Sequence, residues 1–341
     1  MSTISARSSA YVSKMKSFLP GLLLASLVAM AAQFMAEHTG APSMLMALLF
    51  GMALSSVHEN GSVLSSGIMF SAKSILKFGV VLLGARISVD VLVSLGWEMV
   101  VLLLLAVATT IFVGFSVRKL FGKSAAFAVL TAGAVSICGA SAALAIAAVL
   151  PKTKESEKDL LFTVLSVTLL STLAMVFYPV LLRLMHFDDI RAGAFIGATV
   201  HDVAQVVGAG FSISNEAGEI ATLVKLIRVT FLAPVVIVLS LLFRKSVAES
   251  GETSKPVLIP AFVIGFLCLA VLNSFGLLSE PIREIASVVS KWSLLIAISA
   301  VGIKTSLLDI IKVGYSAIAL VVAQTVFLAL IILFGLQFVP I

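Results

Sequence analysis

Charged side chains are scarce in this sequence. Asp, Glu, Lys and Arg make up 12% of its 341 residues, whereas 60% are hydrophobic and the mean hydropathy is +1.17. A soluble domain of this size cannot cover so much apolar surface with polar side chains. Apolar windows long enough to span a bilayer recur from near residue 17 to the C-terminus. The composition predicts an all-α polytopic membrane protein, with an N-terminal tail at 1–16 and a single integral domain at 17–341.

Cysteine is nearly absent, and no nucleotide-binding signature occurs. The two cysteines, Cys138 and Cys268, lie 130 residues apart in apolar stretches, which argues against a disulfide framework. Without a GxxxxGK[ST] loop, direct ATP drive is not expected. The net charge of +6 sits mainly in short loops and does not indicate nucleic-acid binding. We expect a lipid bilayer as the surroundings, and neither a cofactor nor a metal site.

The basic residues indicate the orientation of the chain. Lys and Arg cluster in the N-terminal tail and in the loops at 118–123 and 243–246, whereas the loops at 37–40 and 214–219 carry neither. The positive-inside rule then places the N-terminus in the cytoplasm, as in a multi-pass protein of a bacterial-type inner membrane.

Hydrophobic segments follow one another along the whole chain. They lie near residues 17–36, 43–57, 66–92, 97–117, 125–150, 160–185, 191–214, 218–243, 257–277, 283–305 and 312–338. The segments at 125–150 and 191–214 either cross as broken helices or turn back as re-entrant hairpins. The prediction is therefore about 9–11 transmembrane segments.

An internal repeat is indicated by two stretches 218 residues apart. Residues 73–96 align without gaps on residues 291–314, with five identities in 24 positions. The matched pairs include Gly84 with Gly302, Arg86 with Lys304, Ser88 with Ser306 and Gly96 with Gly314. An odd number of crossings separates the copies, so they would run in opposite directions, as in the inverted repeats of secondary transporters.

Small and polar residues interrupt two of the apolar segments. One interruption is at 131–145 and the other at 197–210. A pair of Gly-interrupted segments is typical of discontinuous helices, whose free half-helix N-termini can hold an anion. The alternative is tight helix packing, because small residues also let transmembrane helices approach closely.

The second interruption carries ionisable groups at membrane depth. His201 and Gln205 share a face if the stretch is helical, and Asp202 is rotated by about 100° from His201. An imidazole changes charge near physiological pH and a buried carboxylate can exchange a proton, so the pair suits proton coupling. The alternative is a structural hydrogen-bonding pair that fixes the break in the helix.

Two cations follow on the next helix. Lys225 and Arg228 are three residues apart and lie about 9 and 14 Å along the axis from Glu219, too deep to reach the membrane surface readily. Their partners could be Asp202 and another carboxylate, or an anionic solute. For Arg86 and Lys304 we expect a structural or interfacial role at helix ends.

Five motifs together resemble the YeiH-like sulfate exporter family. They are LLGARIS at 82–88, SICGASAA at 136–143, HDVAQVVGAG at 201–210, VKLIRV at 224–229 and VGIKTSLLDI at 301–310, and the resemblance runs from about residue 44 to 338. It implies the fold of cation/proton antiporters and anion transporters. That fold has two inverted repeats, a core with crossing discontinuous helices, and a scaffold that often forms a homodimer.

The sequence thus predicts a secondary active transporter that exports a small anion, sulfate or a related sulfur oxyanion, coupled to protons. The expected substrate-binding residues are Ser136, Cys138, Gly139, Ser141, Thr199, Gln205, Lys225 and Arg228, and the expected proton-coupling residues are His201 and Asp202. A passive anion channel is one alternative. An intramembrane enzyme, with Cys138 or Ser141 as nucleophile, is another, but neither an HExxH nor a GxSxG signature supports it.

Overall fold

The computed structural model describes residues 2–39, 41, 43–57, 63–86, 95–151, 153, 155–243, 261–304 and 315–341. Throughout these ranges the regular structure is helical, with no strand. The helices are α1 (Ser2–Thr39), α2 (Ser43–Ala53), α3 (Ser65–Phe70), α4 (Leu76–Leu83), α5 (Gly96–Val117), α6 (Ala125–Ser136), α7 (Ala140–Ala147), α8 (Ser156–Leu184), α9 (Asp189–Thr199), α10 (Val203–Ile213), α11 (Asn215–Thr230), α12 (Leu232–Leu242), α13 (Ala261–Ser274), α14 (Glu280–Lys304) and α15 (Tyr315–Gly335). A π-helical turn, Ser71–Ile75, joins α3 to α4.

Each of the eleven predicted hydrophobic segments contains one or two of these helices. Among the described residues, seven helical stretches are long and apolar enough to cross a membrane. They are Ser17–Thr39, Ser65–Leu83, Gly96–Phe121, Lys158–Leu184, Asn215–Leu242, Glu280–Lys304 and Ala317–Gly335. The protein is therefore an all-α polytopic membrane protein. The side of the membrane on which the N-terminus lies stays a prediction, as does the division into a tail and one domain.

The chain forms two compact units. Unit 1 comprises residues 1–87 and 265–308, and unit 2 comprises residues 88–264 and 309–341. Glycines allow the helices of unit 1 to pack closely. A Cβ on Gly21 would lie 2.8 Å from the Cα of Gly67, and one on Gly51 would lie 2.9 Å from the Cα of Gly302. Such contacts are typical of transmembrane helix pairs.

Unit 1 contains two contacts that mirror each other. Each joins a glycine of one aligned stretch, 73–96 or 291–314, to a residue of another helix. A Cβ on Gly84 would lie 2.3 Å from the carbonyl oxygen of Phe266, and one on Gly302 would lie 2.4 Å from that of Leu48. Adding 218 to 84 gives 302, and adding 218 to 48 gives 266. The same contact therefore occurs twice with the partners exchanged, which is the pattern produced by a two-fold axis.

In unit 2, side-chain caps and glycines position the helices around the site. Ser124, Asp188 and Ser214 accept hydrogen bonds from the first turns of α6, α9 and α11, satisfying amides that a helix leaves unpaired. Gly193 and Gly197 of α9 lie against α11, where a Cβ would come within 2.6 Å of its backbone. Helix α11 can therefore bring its side chains close to α9.

Candidate functional site

Two short links interrupt helices in unit 2. Residues 137–139 separate α6 from α7 (the first break), and residues 200–202 separate α9 from α10 (the second break). Gly139 has φ +63° and ψ −127°, a conformation that residues with a Cβ rarely adopt. A Cβ on Gly139 would lie 3.4 Å from the carbonyl oxygen of His201, so the breaks meet. The breaks predicted within these segments are thus confirmed, and whether each segment crosses the membrane or turns back within it stays a prediction.

Lys225 of α11 joins the two breaks. Its side chain is fully buried, and Nζ donates hydrogen bonds of 2.8 Å both to the carbonyl oxygen of Ile137 and to that of Val200. One of these carbonyls belongs to each break. The ammonium group therefore connects two chain segments that are 63 residues apart in sequence.

Arg228 makes a wider set of contacts with the same helix ends. Its Nε donates to Ser136 O at 2.9 Å, and one terminal nitrogen donates to Val135 O at 3.0 Å. The other terminal nitrogen donates to Gly197 O at 3.0 Å and to Val200 O at 3.3 Å. The guanidinium thus binds the last turn of both α6 and α9, with a side chain that is only 1% exposed.

These contacts have a simple electrostatic explanation. The last carbonyls of a helix lack intrahelical partners and carry a partial negative charge. Two helices that end inside the bilayer would expose such carbonyls to a medium without water to solvate them. Lys225 and Arg228 therefore stabilise the C-terminal ends of both first half-helices.

The expected partners of Lys225 and Arg228 are Asp202 and another carboxylate, or an anionic solute. Within the described residues no ion pair joins Asp202 to Lys225 or Arg228. Hydrogen bonds to carbonyls use two of the three ammonium protons and four of the five guanidinium protons. One donor of each group is left for a solute, so direct substrate binding by Lys225 and Arg228 stays a prediction.

His201 lies buried between α6 and α15. Its Nδ1 is 3.1 Å from Val135 O, and its Nε2 is 3.2 Å from Thr325 Oγ1. A carbonyl can only accept, so Nδ1 carries a proton. Thr325 Oγ1 also donates a 2.9 Å hydrogen bond to Val321 O, so its single proton has two acceptors to choose between, and the Nε2 contact fits a neutral ring that accepts as well as a charged ring that donates. Arg228 donates to the same Val135 carbonyl. Its positive charge therefore disfavours a second positive charge on the imidazole, and the neutral ring suits this site.

Asp202 has a separate role from its neighbour. Its Oδ1 accepts a 2.9 Å hydrogen bond from Ala204 N and so caps the N-terminus of α10. The backbone amides of His201 and Asp202 both donate to Ser171 Oγ, at 3.2 and 3.0 Å. Residues adjacent in sequence therefore have side chains bound to different elements, and proton coupling by this pair stays a prediction.

The other predicted site residues divide into buried and exposed groups. Ser136 and Cys138 are buried beside the first break, and Ser136 Oγ lacks a hydrogen-bond partner among the described residues. Thr199 Oγ1 donates to Phe195 O within its own helix. Ser141, in the first turn of α7, is exposed. No side chain caps the N-terminus of α7, whereas Asp202 caps that of α10.

The comparisons with known proteins agree on one family. The family profile described as Conserved hypothetical protein 698 matches residues 20–322. The UPF0324 membrane protein TauZ of Paracoccus denitrificans is 54% identical over 93% of this chain and 94% of its own length. UPF0324 membrane proteins of Chlorobaculum tepidum and Pseudomonas putida are 46% and 32% identical, over 93% and 88% of this chain and 88% of each relative. The chain belongs to this UPF0324 family. The resemblance to YeiH-like proteins fits it, and the relatives' names describe membrane proteins.

In this member of the UPF0324 family, α8 supplies hydroxyl groups that the sequence analysis did not single out. Ser171 binds the second break as described, and Thr172 Oγ1 accepts a 2.8 Å hydrogen bond from Gln205 Nε2. Thr168, Ser171 and Thr172 have the spacing of one helix face, and that spacing is the signal that could have identified them. Nothing in the sequence indicates Thr325, which lies 124 residues from His201.

Proposed function

We propose that this UPF0324 protein is a secondary active transporter that carries a small anion through the meeting point of its two breaks. The observation that supports this proposal most strongly is the pair of buried cations, Lys225 and Arg228, without an ion-pair partner in the described part of the chain. Buried charges at membrane depth are expensive and are usually retained for function.

The charge balance at the breaks favours an anion. Lys225 and Arg228 contribute two positive charges, and each helix end contributes about half an elementary charge. The negative C-terminal ends of α6 and α9 cancel the positive N-terminal ends of α7 and α10. Asp202, which caps α10, offsets one of the cations. With His201 neutral, about one positive charge remains for a solute to neutralise.

Donors suited to an oxyanion lie beside the first break. The N-terminus of α7 has no side-chain cap, and Ser136 Oγ is buried without a partner among the described residues. Amide, hydroxyl, ammonium and guanidinium donors together match a tetrahedral oxyanion. Sulfate, or another sulfur oxyanion, is the first candidate because of the resemblance to YeiH-like exporters.

Net movement against a gradient requires coupling, for which His201 and Asp202 are the candidates. Protonation of His201 would add a positive charge beside Arg228, and Thr325 would then accept from Nε2 while its own proton goes to Val321 O. The state of the ring would therefore alter how the second break is held. Coupled export follows if the proton affinity of this pair differs between the inward and outward states.

The reciprocal contacts in unit 1 support an inverted repeat. Gly84 with Phe266 and Gly302 with Leu48 are the same contact with the copies exchanged. A two-fold axis in the membrane plane is the usual basis of alternating access, because the two copies exchange conformations when the site changes side. Homodimer formation through a scaffold remains part of the proposal.

Flux into proteoliposomes tests the proposal. Purified protein should accumulate labelled sulfate against its gradient, with saturation, when a pH gradient is imposed. Saturation without accumulation would indicate a facilitator, and flux that neither saturates nor accumulates would indicate a passive channel. No flux for any of sulfate, sulfite, thiosulfate and small sulfonates would contradict anion transport by this protein.

A further inference from the structure

Three lysines lie in the middle of apolar helices of unit 1. Lys73 is the ninth of 19 residues in the span Ser65–Leu83, and Lys291 is the twelfth of 25 in the span Glu280–Lys304. Lys77 follows Lys73 by one helical turn. All three side chains are exposed, and none has a hydrogen-bond or ion-pair partner among the described residues. They differ in this respect from Lys225 and Arg228.

The helices that carry these lysines are antiparallel neighbours. Ser290 Oγ donates a 2.7 Å hydrogen bond to Gly79 O, and Ala72 belongs to the same hydrophobic cluster as Ala300. Residue numbers therefore rise on α14 as they fall on α4. Residues that are 218 apart in sequence occupy equivalent positions in the two aligned stretches. Along the two antiparallel helices, such a pair lies at the same height near Lys77. Lys73 and Lys291, which are equivalent by that offset, lie roughly 6 Å on either side of that height at ~1.5 Å per residue.

The reciprocal contacts indicate that the lysines share one face. A two-fold axis that exchanges two antiparallel helices runs perpendicular to the plane containing both of them. Rotation about it leaves each side of that plane in place, so equivalent side chains project to the same side. Lys73 and Lys291 therefore project from one side of the pair formed by the span Ser65–Leu83 and α14, and Lys77, four residues after Lys73, lies close to the same face.

Hydrocarbon cannot be the surroundings of this face. Half of a bilayer core measures ~15 Å, whereas an extended lysine side chain reaches only roughly 6 Å by its bond lengths. An ammonium group at the middle of a span therefore does not reach the lipid headgroups. Charged residues at this depth face a water-filled cavity or a counter-charge, and within the described residues no carboxylate partners them.

We infer that Lys73, Lys77 and Lys291 line a hydrated anion path through the middle of the membrane, in addition to the meeting point of the breaks. This inference rests on the proposed anion transport and extends it. The ligand class is a small inorganic or organic oxyanion, and a divalent anion is favoured over a monovalent one because attraction scales with charge. The lysines attract the solute along the path, whereas Lys225 and Arg228 hold the helix ends.

Thiol labelling tests whether this face is hydrated and whether its electrostatic potential is positive, without any transport assay. In a background carrying Cys138→Ala and Cys268→Ala, Lys77→Cys is treated with membrane-impermeant methanethiosulfonates, one bearing a sulfonate and one a quaternary ammonium. We expect both reagents to react. Relative to their rates with a free thiol, the anionic reagent should be favoured by about tenfold, because Lys73 and Lys291 concentrate anions. That preference should disappear when both are changed to Gln.

The matched control is Leu27→Cys in the same background. Leu27 is 60% exposed and is the eleventh of 23 residues in the span Ser17–Thr39, so it lies nearer the middle of its span than Lys77, in a span that carries no Lys or Arg. It should stay unlabelled. If Lys77→Cys is as unreactive as Leu27→Cys, or shows no preference for the anionic reagent, the hydrated anion path is wrong.

Flux variants then separate this inference from the proposed function. Lys73→Gln and Lys291→Gln should each lower sulfate flux by about tenfold or more, and Lys73→Arg and Lys291→Arg should restore it. Lys158→Gln, which changes a lysine whose side chain is 78% exposed at the start of α8, is the control and should not alter flux. Normal flux in both Gln variants contradicts the path. A parent protein that moves none of the anions, but labels as expected, contradicts the proposed transport and leaves the path standing.

Discussion

At the scale of single residues, the two buried cations bind backbone carbonyls, which their residue types alone do not indicate. Between them, Lys225 and Arg228 donate six hydrogen bonds to backbone carbonyls at the ends of α6 and α9. A guanidinium can bind several carbonyls at once because its donors are fixed in a planar fork. The role of these residues in holding the breaks is therefore separable from a role in binding solute.

Arg228→Met should destabilise the protein in the absence of any anion. The substitution removes the side-chain donor of Ser136 O and Gly197 O, whereas Val200 O keeps Lys225 and Val135 O keeps His201. We expect a loss of about 2–6 kcal/mol in the free energy of unfolding, from two buried carbonyls left without a partner. Thermal unfolding in detergent measures the loss, with Lys158→Met as the control at a solvated site. An unchanged melting temperature together with lost anion binding would assign Arg228 to the solute alone.

Asp202→Asn should separate coupling from folding. Asparagine is also a good N-cap, so α10 should keep its cap while the titratable proton is lost. We expect anion exchange to continue and the dependence of accumulation on a pH gradient to disappear. Asp188→Asn is matched to it, because Asp188 caps α9 in the same way. If both Asp202→Asn and His201→Gln keep pH-driven accumulation, the pair only fixes the break.

At the scale of elements, the two breaks are held in different ways. The first break needs φ +63° and ψ −127° at Gly139, and the second is held by amide hydrogen bonds to Ser171 of α8. Half-helices packed in this way present their charged ends to one another rather than to lipid. The breaks are therefore fixed features of unit 2, supported by α8 on one side and by α11 on the other.

Gly139→Ala should impair transport more than alanine at a positive-φ glycine outside the breaks. We expect a cost of about 1–3 kcal/mol from the backbone conformation, and the added methyl group would press on His201 O at 3.4 Å. Gly122→Ala is the control, because Gly122 also has a positive φ but lies in the left-handed α region, at φ +62° and ψ +31°, with nothing within 4 Å. Sulfate flux at equal protein incorporation measures the difference. Equal flux in the two variants would show that the first break tolerates displacement.

At the scale of the whole molecule, unit 1 contains a reciprocal pair of glycine contacts that bears on the predicted repeat. The contact of Gly84 with Phe266 recurs as that of Gly302 with Leu48. Such a reciprocal pair is expected of a repeat in which both aligned stretches keep a glycine at the same position. The repeat would otherwise rest on five identities in 24 aligned residues, which apolar composition alone can approach.

Gly84→Val and Gly302→Val should have matching effects. Each adds bulk where a Cβ already falls within 2.4 Å of a facing carbonyl oxygen, so we expect each to cost about 1–3 kcal/mol through overpacking. Ala261→Val, at an exposed position of α13, should be nearly neutral. Thermal unfolding of the three variants decides the question. A large loss in one glycine variant and none in the other would contradict equivalence of the two copies.

The sequence by itself determined the class of the protein and the segments in which helices are broken. Only helices and closed barrels satisfy the backbone in lipid. Low charge and continuous apolar runs longer than a spanning strand indicate helices rather than a barrel. Glycine and polar residues at 131–145 and 197–210 indicated the broken helices, since they are costly in a simple span. These features depend on local composition and periodicity, which can be read directly along the chain.

Only the tertiary structure decided which groups meet. His201 with Thr325, Ser171 with the second break, and Lys225 with both breaks are contacts between residues from 25 to 124 positions apart. Such pairings depend on how helices pack, and spacing along one helix carries no record of them. The same reason explains why two cations expected to meet a carboxylate or a solute were found to bind helix ends, where the unpaired carbonyls of two separate segments come together.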